Sequence, residues 1–369
     1  MMYLSSLFLN RMNISKQLFP LSHQNLKVEV TVNISDLPVS SIALHPTKEL
    51  AVTGSDDKQW YLWSVPSSKT RNDSTLDESN PSSSKISSDK KSKNSNSLSP
   101  RIAPAQLQMS GTGHSDWISS VDFHPSGSIL ATGAGDATVR IWDINNSHRE
   151  IISFTDHQNA IWGVSFHGSG NFLASCSMDT TAKIWDLNSQ RCRTTLRGHN
   201  DSINTLEFLE FSNTLLTGSA DKTLKLWDAR THLCAHTYTG HTHSINSAGF
   251  SKRGDKMVST DSFGIVNIWD VRNTRNEIKR IDLGIHAGNS IKYHPSGEYI
   301  VVACADGSIK VLDCSQVEAD TNDKANEENC VYSLTSVNGH VDSVNDIAFS
   351  HDGSSLYSCS SDGTMRIWR

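Results

Sequence analysis

The stretch GHNDSINTLEFLEFSNTLLTGSADKTLKLWD, residues 198–228, opens on Gly198-His199 and ends on Trp227-Asp228, with 28 residues from the histidine to the tryptophan. The same interval separates His114 from Trp142, His157 from Trp185, His241 from Trp269 and His340 from Trp368. Asp follows the tryptophan at 142, 185, 227 and 269, and those tryptophans succeed one another at 43, 42 and 42 residues. Inside each unit lie short β-prone runs, such as 118–123, 129–132 and 139–142, divided by turns of the His124-Pro125-Ser126-Gly127 kind. Two weaker copies complete the series: Ser41 to Trp63 ahead of the regular ones, and Ser290 to Asp313 between Trp269 and the last. Seven copies at a fixed period are one repeat architecture, so the 369 residues read as a single all-β domain.

Gly-His early and Trp-Asp late at this period resemble the WD repeat (WD40), in which each unit is one four-stranded blade. The resemblance implies a seven-bladed β-propeller over residues 27–369. The last copy stops at Trp368-Arg369, just past its third strand. Residues 26–34 alternate at period two, with Val28, Val30, Val32 and Ile34 on one face. That segment is expected to lie beside 364–368 as the missing fourth strand, removing the one open edge of the ring.

Residues 1–26 are expected to be a poorly ordered extension. Two insertions break the period, each after the third strand of its blade and so on one face of the disc. The first, 67–101, has 13 serines among residues 67–100 and only Leu76, Ile86 and Leu98 as apolar residues. It buries too little apolar surface to offset its ordering entropy and is expected to be disordered. Its Ser99-Pro100-Arg101 resembles a proline-directed kinase site. The second, 315–329, is acidic and loop-like.

A net charge of −6 lacks the basic face of a nucleic-acid binder. Seven cysteines without a Cys-x-x-Cys pair fit a reducing compartment. No run of 18 apolar residues offers a membrane span, and the mildly apolar start at 1–9 has no basic residues before it, so it is not read as a signal peptide. The expected partners are therefore other proteins in the cytoplasm. Nucleic acid, membrane, small-molecule substrate, cofactor and metal are all left out.

Four units hold a His, a Ser or Thr, an Asp and the Trp at intervals of 18, 4 and 6: His114-Thr132-Asp136-Trp142, His157-Ser175-Asp179-Trp185, His199-Thr217-Asp221-Trp227 and His340-Ser358-Asp362-Trp368. A Ser-His-Asp set invites a hydrolase reading. A catalytic triad is needed once, however, and four copies around a ring point to a structural network. The carboxylate meets one imidazole nitrogen, the hydroxyl the other, and the indole N–H the hydroxyl, so every buried polar group is paired. Three units depart. The fifth keeps His241, Ser259 and Trp269 but has Phe263 at the Asp position. The sixth has Gly284, Val302 and Leu312 and retains only Asp306, and the first has Thr53, Asp57 and Trp63 with Ser35 in place of the His. Those three blades are expected to be the softer ones. His45, His124 and His294 read as turn residues and not metal ligands, and Cys176, Cys304 and Cys359 as small hydrophobes.

Residues 171–250 carry more than the generic pattern. Asn171-Phe172-Leu173-Ala174-Ser175-Cys176-Ser177-Met178-Asp179, Ser219-Ala220-Asp221-Lys222-Thr223-Leu224 and His241-Thr242-His243-Ser244-Ile245-Asn246 resemble the propeller of the sperm-associated antigen 16 family. That family consists of WD-repeat proteins of the ciliary and flagellar central pair. The resemblance implies a non-catalytic scaffold in the axonemal central apparatus of the cilium or flagellum, with axonemal or microtubule-associated partners. A rival reading starts from Trp227-Asp228-Ala229-Arg230 and Trp269-Asp270-Val271-Arg272. These resemble the adjacent Trp-Asp-x-Arg ends of substrate receptors for cullin–RING ubiquitin ligases. Partner binding is expected on the face of the Gly-His loops and Asp turns, at Asp116, Trp117, Asn159, Trp162, Asp201, Asn204, His243, Asn246, Asp342 and Asn345. Trp117 and Trp162 are either exposed anchors there or indoles packed between blades.

Overall fold

The computed structural model describes residues 27–66, 105–145, 149–273, 277–314, 331–334 and 339–369. The expected extension 1–26 and the inserts 67–101 and 315–329 lie outside the described residues. The strands form seven four-stranded antiparallel sheets, six of them with their strands in chain order. Blade 1 spans 39–112, blade 2 118–154, blade 3 161–196, blade 4 203–239, blade 5 245–282 and blade 6 288–334. Blade 7 takes three strands from 344–368 and its fourth, Val28–Asn33, from the other end of the chain. The inner strand of each blade packs against the next, and that of blade 7 against blade 1, so the ring is closed.

Short amphipathic strands cannot bury both faces within one sheet, so the core is distributed between the blades. Seven apolar clusters fill the seven seams. Each repeat tryptophan plugs the seam with the preceding blade. Trp142 sits with Leu62 and Val52 of blade 1, Trp185 with Ile141 of blade 2, and Trp227 with Ile184 of blade 3. Leu312 does the same in blade 6, beside Ile268. Truncating such a plug costs about 3–5 kcal/mol in a packed core.

The closing strand runs antiparallel to Thr364–Trp368, with Thr31 opposite Arg366 and Asn33 opposite Thr364. Its register slips between Val28 and Val30, so Glu29 is an extra residue. The expected single apolar face is thereby corrected. Val30, Val32 and Ile34 pack into the seam between blades 7 and 1, while Val28 turns to the seam between blades 6 and 7. The displaced Glu29 carboxylate accepts from Arg369 at 2.7 Å, tying the strand to the last residue.

Candidate functional site

The His, Ser or Thr, Asp and Trp of each regular unit meet inside their blade. His Nδ1 lies 2.7–3.0 Å from the carboxylate of Asp136, Asp179, Asp221 or Asp362. Nε2 lies 2.7–2.8 Å from Thr132, Ser175, Thr217 or Ser358, whose hydroxyl accepts the indole N–H of Trp142, Trp185, Trp227 or Trp368 at 2.8–2.9 Å. A carboxylate fixes the proton on Nδ1, leaving Nε2 to accept from the hydroxyl. Each of those hydroxyl residues is 0% exposed, and a nucleophile must be reachable to react. A further member escaped the sequence reading, although its Asp-x-Thr spacing was visible. Thr138, Thr181, Thr223 and Thr364 each donate to the same carboxylate at 2.6–2.7 Å.

Blade 5 corrects one expectation. The residue at the usual Asp position is Phe263, yet the network is whole, because Asp261 supplies the carboxylate from two residues earlier. It meets His241 at 3.0 Å and accepts the Phe263 and Ile265 amides at 3.0 Å each. In blade 1, Trp63 still donates to Thr53, and the Tyr61 hydroxyl donates to Asp57 at 2.6 Å. Ser35 accepts only the Leu37 amide among the described residues. In blade 6 the buried polar trio is replaced by Val302 and Leu312, both 0% exposed, and Lys310 donates to the Leu283 carbonyl near Gly284. Replacing all partners by apolar groups leaves nothing unsatisfied.

The turn histidines do more than make turns. His45, His124, His167 and His294 each reach a carbonyl of the next blade, at Gly127, Gly170, Ser212 and Gly353, over 2.9–3.1 Å. Among the described residues no group of three or more His, Cys, Asp or Glu is placed to hold a metal ion.

Because His and Asp meet, the Gly-His loops and the turns after each second strand share one face, and the inner strands open there into a central channel. The register of every inner strand slips after its first residue, which aims its second residue at the channel mouth. Those seven residues are Ser40, Ser119, Trp162, Asn204, Asn246, Asn289 and Asn345. The four asparagines donate to Ile245, Gly288, Val344 and Val39 of the following blade at 2.8–3.1 Å. Ser40 and Ser119 donate likewise to Ile118 and Ile161. Asn204, Asn246 and Asn345, expected as partner contacts, therefore already spend their amides on the ring.

Only blade 3 breaks this belt, with Trp162, which is 39% exposed. It packs against the partly buried Trp117 of blade 2, ring centroids 5.1 Å apart and the ring planes tilted by 37°. The two tryptophans thus share one surface and are not separate anchors. Asp116, Asp201 and Asp342 each accept the amide of the next residue, and Asn159, Asp201 and Asp342 stand exposed. His243 stacks on Phe263 at 3.8 Å.

Two features of this face escaped the sequence reading. Leu37, Phe263, Ile285 and Val341, 47–88% exposed, form an apolar arc over blades 1, 5, 6 and 7. Four exposed apolar side chains on one face give it apolar contact area. The channel below, about 490 Å³, carries Asp122, Glu207, Lys292 and Asp346. Lys292 bridges to Glu207 at 2.9 Å, and Glu207 holds its ammonium above the ordinary lysine range against burial. Burial pushes Asp122 up to about 7, opposed by the Phe166 amide and Lys292.

A family model described as WD domain, G-beta repeat matches residues 30–64, 105–143, 148–186, 190–228, 232–270, 283–313 and 329–369, more than half of the chain. The chain belongs to the WD-repeat family, whose propellers are protein-interaction scaffolds. Pre-mRNA-processing factor 19 of Caenorhabditis elegans is 27% identical over 115 residues, 31% of this chain and 16% of that protein. The chain thus covers about a sixth of that relative's length.

Proposed function

We propose that this propeller is a structural component of the axonemal central apparatus, holding microtubule-associated proteins at its Gly-His face in support of cilium or flagellum assembly or motility. The observation that carries the reading is the likeness of residues 171–250 to the sperm-associated antigen 16 family. The apolar arc and the exposed indole of Trp162 give that face the contact area a scaffold needs. A tagged full chain in ciliated cells tests it. Fluorescence along the axoneme that survives detergent extraction is the expected result, and a diffuse, extractable pool refutes it.

The ubiquitin-ligase reading has one observation in its favour. Arg230 and Arg272 are both exposed, in corresponding turns of blades 4 and 5, on the face opposite the Gly-His loops. Recovery of a ligase adaptor by the wild type, lost in an Arg230→Ala, Arg272→Ala variant, would favour this second reading.

A further inference from the structure

The mouth of the channel encloses about 590 Å³, and its wall departs from the repeat in one sector. Where six blades place Ser or Asn and gain a bond to their neighbour, blade 3 places Trp162 and forgoes it. The residue before the inner strand is Pro38, Ala160, Ser202, Ser244, Ala287 or Ser343 in six blades, but Trp117 in blade 2. Trp117 lies on Gly135, where an added Cβ would come within 2.6 Å of the indole. Trp117, Gly135 and Trp162 together build one aromatic wall.

Asp56 of blade 1 lines the same mouth. It has no ion pair or side-chain hydrogen bond among the described residues. Burial raises its carboxyl above the ordinary range, and Asp57 and Asp116 push the same way. Lys58, the cation of that turn, donates to the Ser115 carbonyl at 2.8 Å. Deeper in the channel, Asp122, Glu207 and Asp346 face Lys292 alone. The lining of the mouth therefore sets an aromatic wall beside the Asp56 carboxyl and includes no cationic side chain.

We propose that this mouth receives an arginine or lysine side chain from an extended segment of a protein partner, stacked on the Trp117–Trp162 wall with its charge toward Asp56 and Asp116. The proposal rests on the reading of the Gly-His face as the partner face and adds the chemistry that face selects. An aromatic ring attracts a cation through its quadrupole, and a guanidinium also matches a carboxylate in its plane. An acidic or apolar side chain would leave Asp56 uncompensated.

The full chain is titrated with a fluorophore-labelled pool of nine-residue peptides, with Ala, Ser, Thr and Leu around a central arginine, and with the same pool carrying citrulline there. Anisotropy is expected to show the arginine pool binding at least about tenfold tighter, since a lost charge contact is worth ~1.4 kcal/mol or more. Asp56→Asn and Trp162→Asn should each abolish that preference. Trp162→Asn also supplies the missing belt donor, so its Tm should hold or rise as binding falls, which separates loss of the site from loss of the fold. Equal binding of the two pools, or an unchanged preference in both variants, overturns the proposal. If the pools bind equally while Phe263→Ala, Ile285→Ala still sheds protein partners, the cation site falls and the partner face stands.

Discussion

In blade 5 the carboxylate that orients His241 comes from Asp261, two positions ahead of its counterparts Asp136, Asp179, Asp221 and Asp362. Asp261→Ala leaves the His241 imidazole and two turn amides without their acceptor. Each buried group left unpaired costs about 1–3 kcal/mol, so Tm is expected to drop by several degrees. Phe263, 55% exposed, should lose less than about 0.5 kcal/mol as Ala. Calorimetry of both variants checks this, and equal shifts would return the role to neither residue. Acid acts on the same networks. Burial alone would raise Asp221, but hydrogen bonds from Thr223, the Asn200 amide and His199 hold it down at about 2, and Asp136, Asp179 and Asp362 are lowered in the same way. A carboxylate lowered by folding stabilises above its unfolded pKa and loses that contribution as pH falls toward the folded value. Burial also lowers His199 and His340, against the pull of their Asp partners. A histidine kept neutral by folding contributes fully above its unfolded value of 6.5 and withdraws stability below it. Within the networks both signs agree, while Asp122 and Asp56, raised by burial, run the other way and gain stability as pH falls. In an Asp122→Asn, Asp56→Asn background Tm should be level from neutral pH upward, fall below about 6.5, and fall faster below about 4. A melting maximum near pH 5 would contradict it.

At the level of the strand and the seam, the closing segment is the most exposed dependency. Deleting residues 27–35 opens the edge of Thr364–Trp368 and uncovers the seam that Val30, Val32 and Ile34 fill. An open edge templates association, so aggregation or a Tm loss of more than about 10 °C is expected in scattering and melting experiments. A soluble, undiminished truncation would show that the strand is dispensable. The seams also differ in their polar ties. Between blades 2 and 3, Ser119, Ser120 and Asp122 all bond across, and His124 adds a fourth tie. Between blades 3 and 4, Trp162 and Gly163 supply no such side-chain bond, and His167 to Ser212 is the corresponding tie that remains. His124 and His167 have matching edge contacts, to Phe166 and Phe208. His167→Ala should therefore cost more than His124→Ala, by about 1 kcal/mol in chemical denaturation. The reverse order would mean that the apolar cluster alone holds the seam. The strands were legible because their alternation and the 28-residue interval are local. The Glu29 bulge was not, because period-two alternation carries no mark of an extra residue, and Val28 was placed on the wrong face. The belt of Ser40, Ser119 and the four asparagines stands in the sequence at one register position, but its acceptors lie a blade away.

Over the whole molecule, blade number followed from counting repeats. The closing strand followed from the alternation of 26–34 beside a last unit one strand short, while its antiparallel direction came from the structure. The face was legible as a set of loops, while its division into a tryptophan-walled mouth and an apolar arc was not. That division depends on which side chains the ring leaves unspent: Trp162 and Asp56 remain available, and Asn204, Asn246 and Asn345 do not. The two functional readings place the working surface on opposite faces, which makes them separable. The most direct measurement is quantitative affinity purification of the tagged full chain from ciliated cells. Wild type is compared with Phe263→Ala, Ile285→Ala on the Gly-His face and with Arg230→Ala, Arg272→Ala on the other. The expected result is loss of the axonemal partner set from the first variant at unchanged Tm and its retention by the second. Retention by the first and loss from the second would contradict the assignment of partner binding to the Gly-His face.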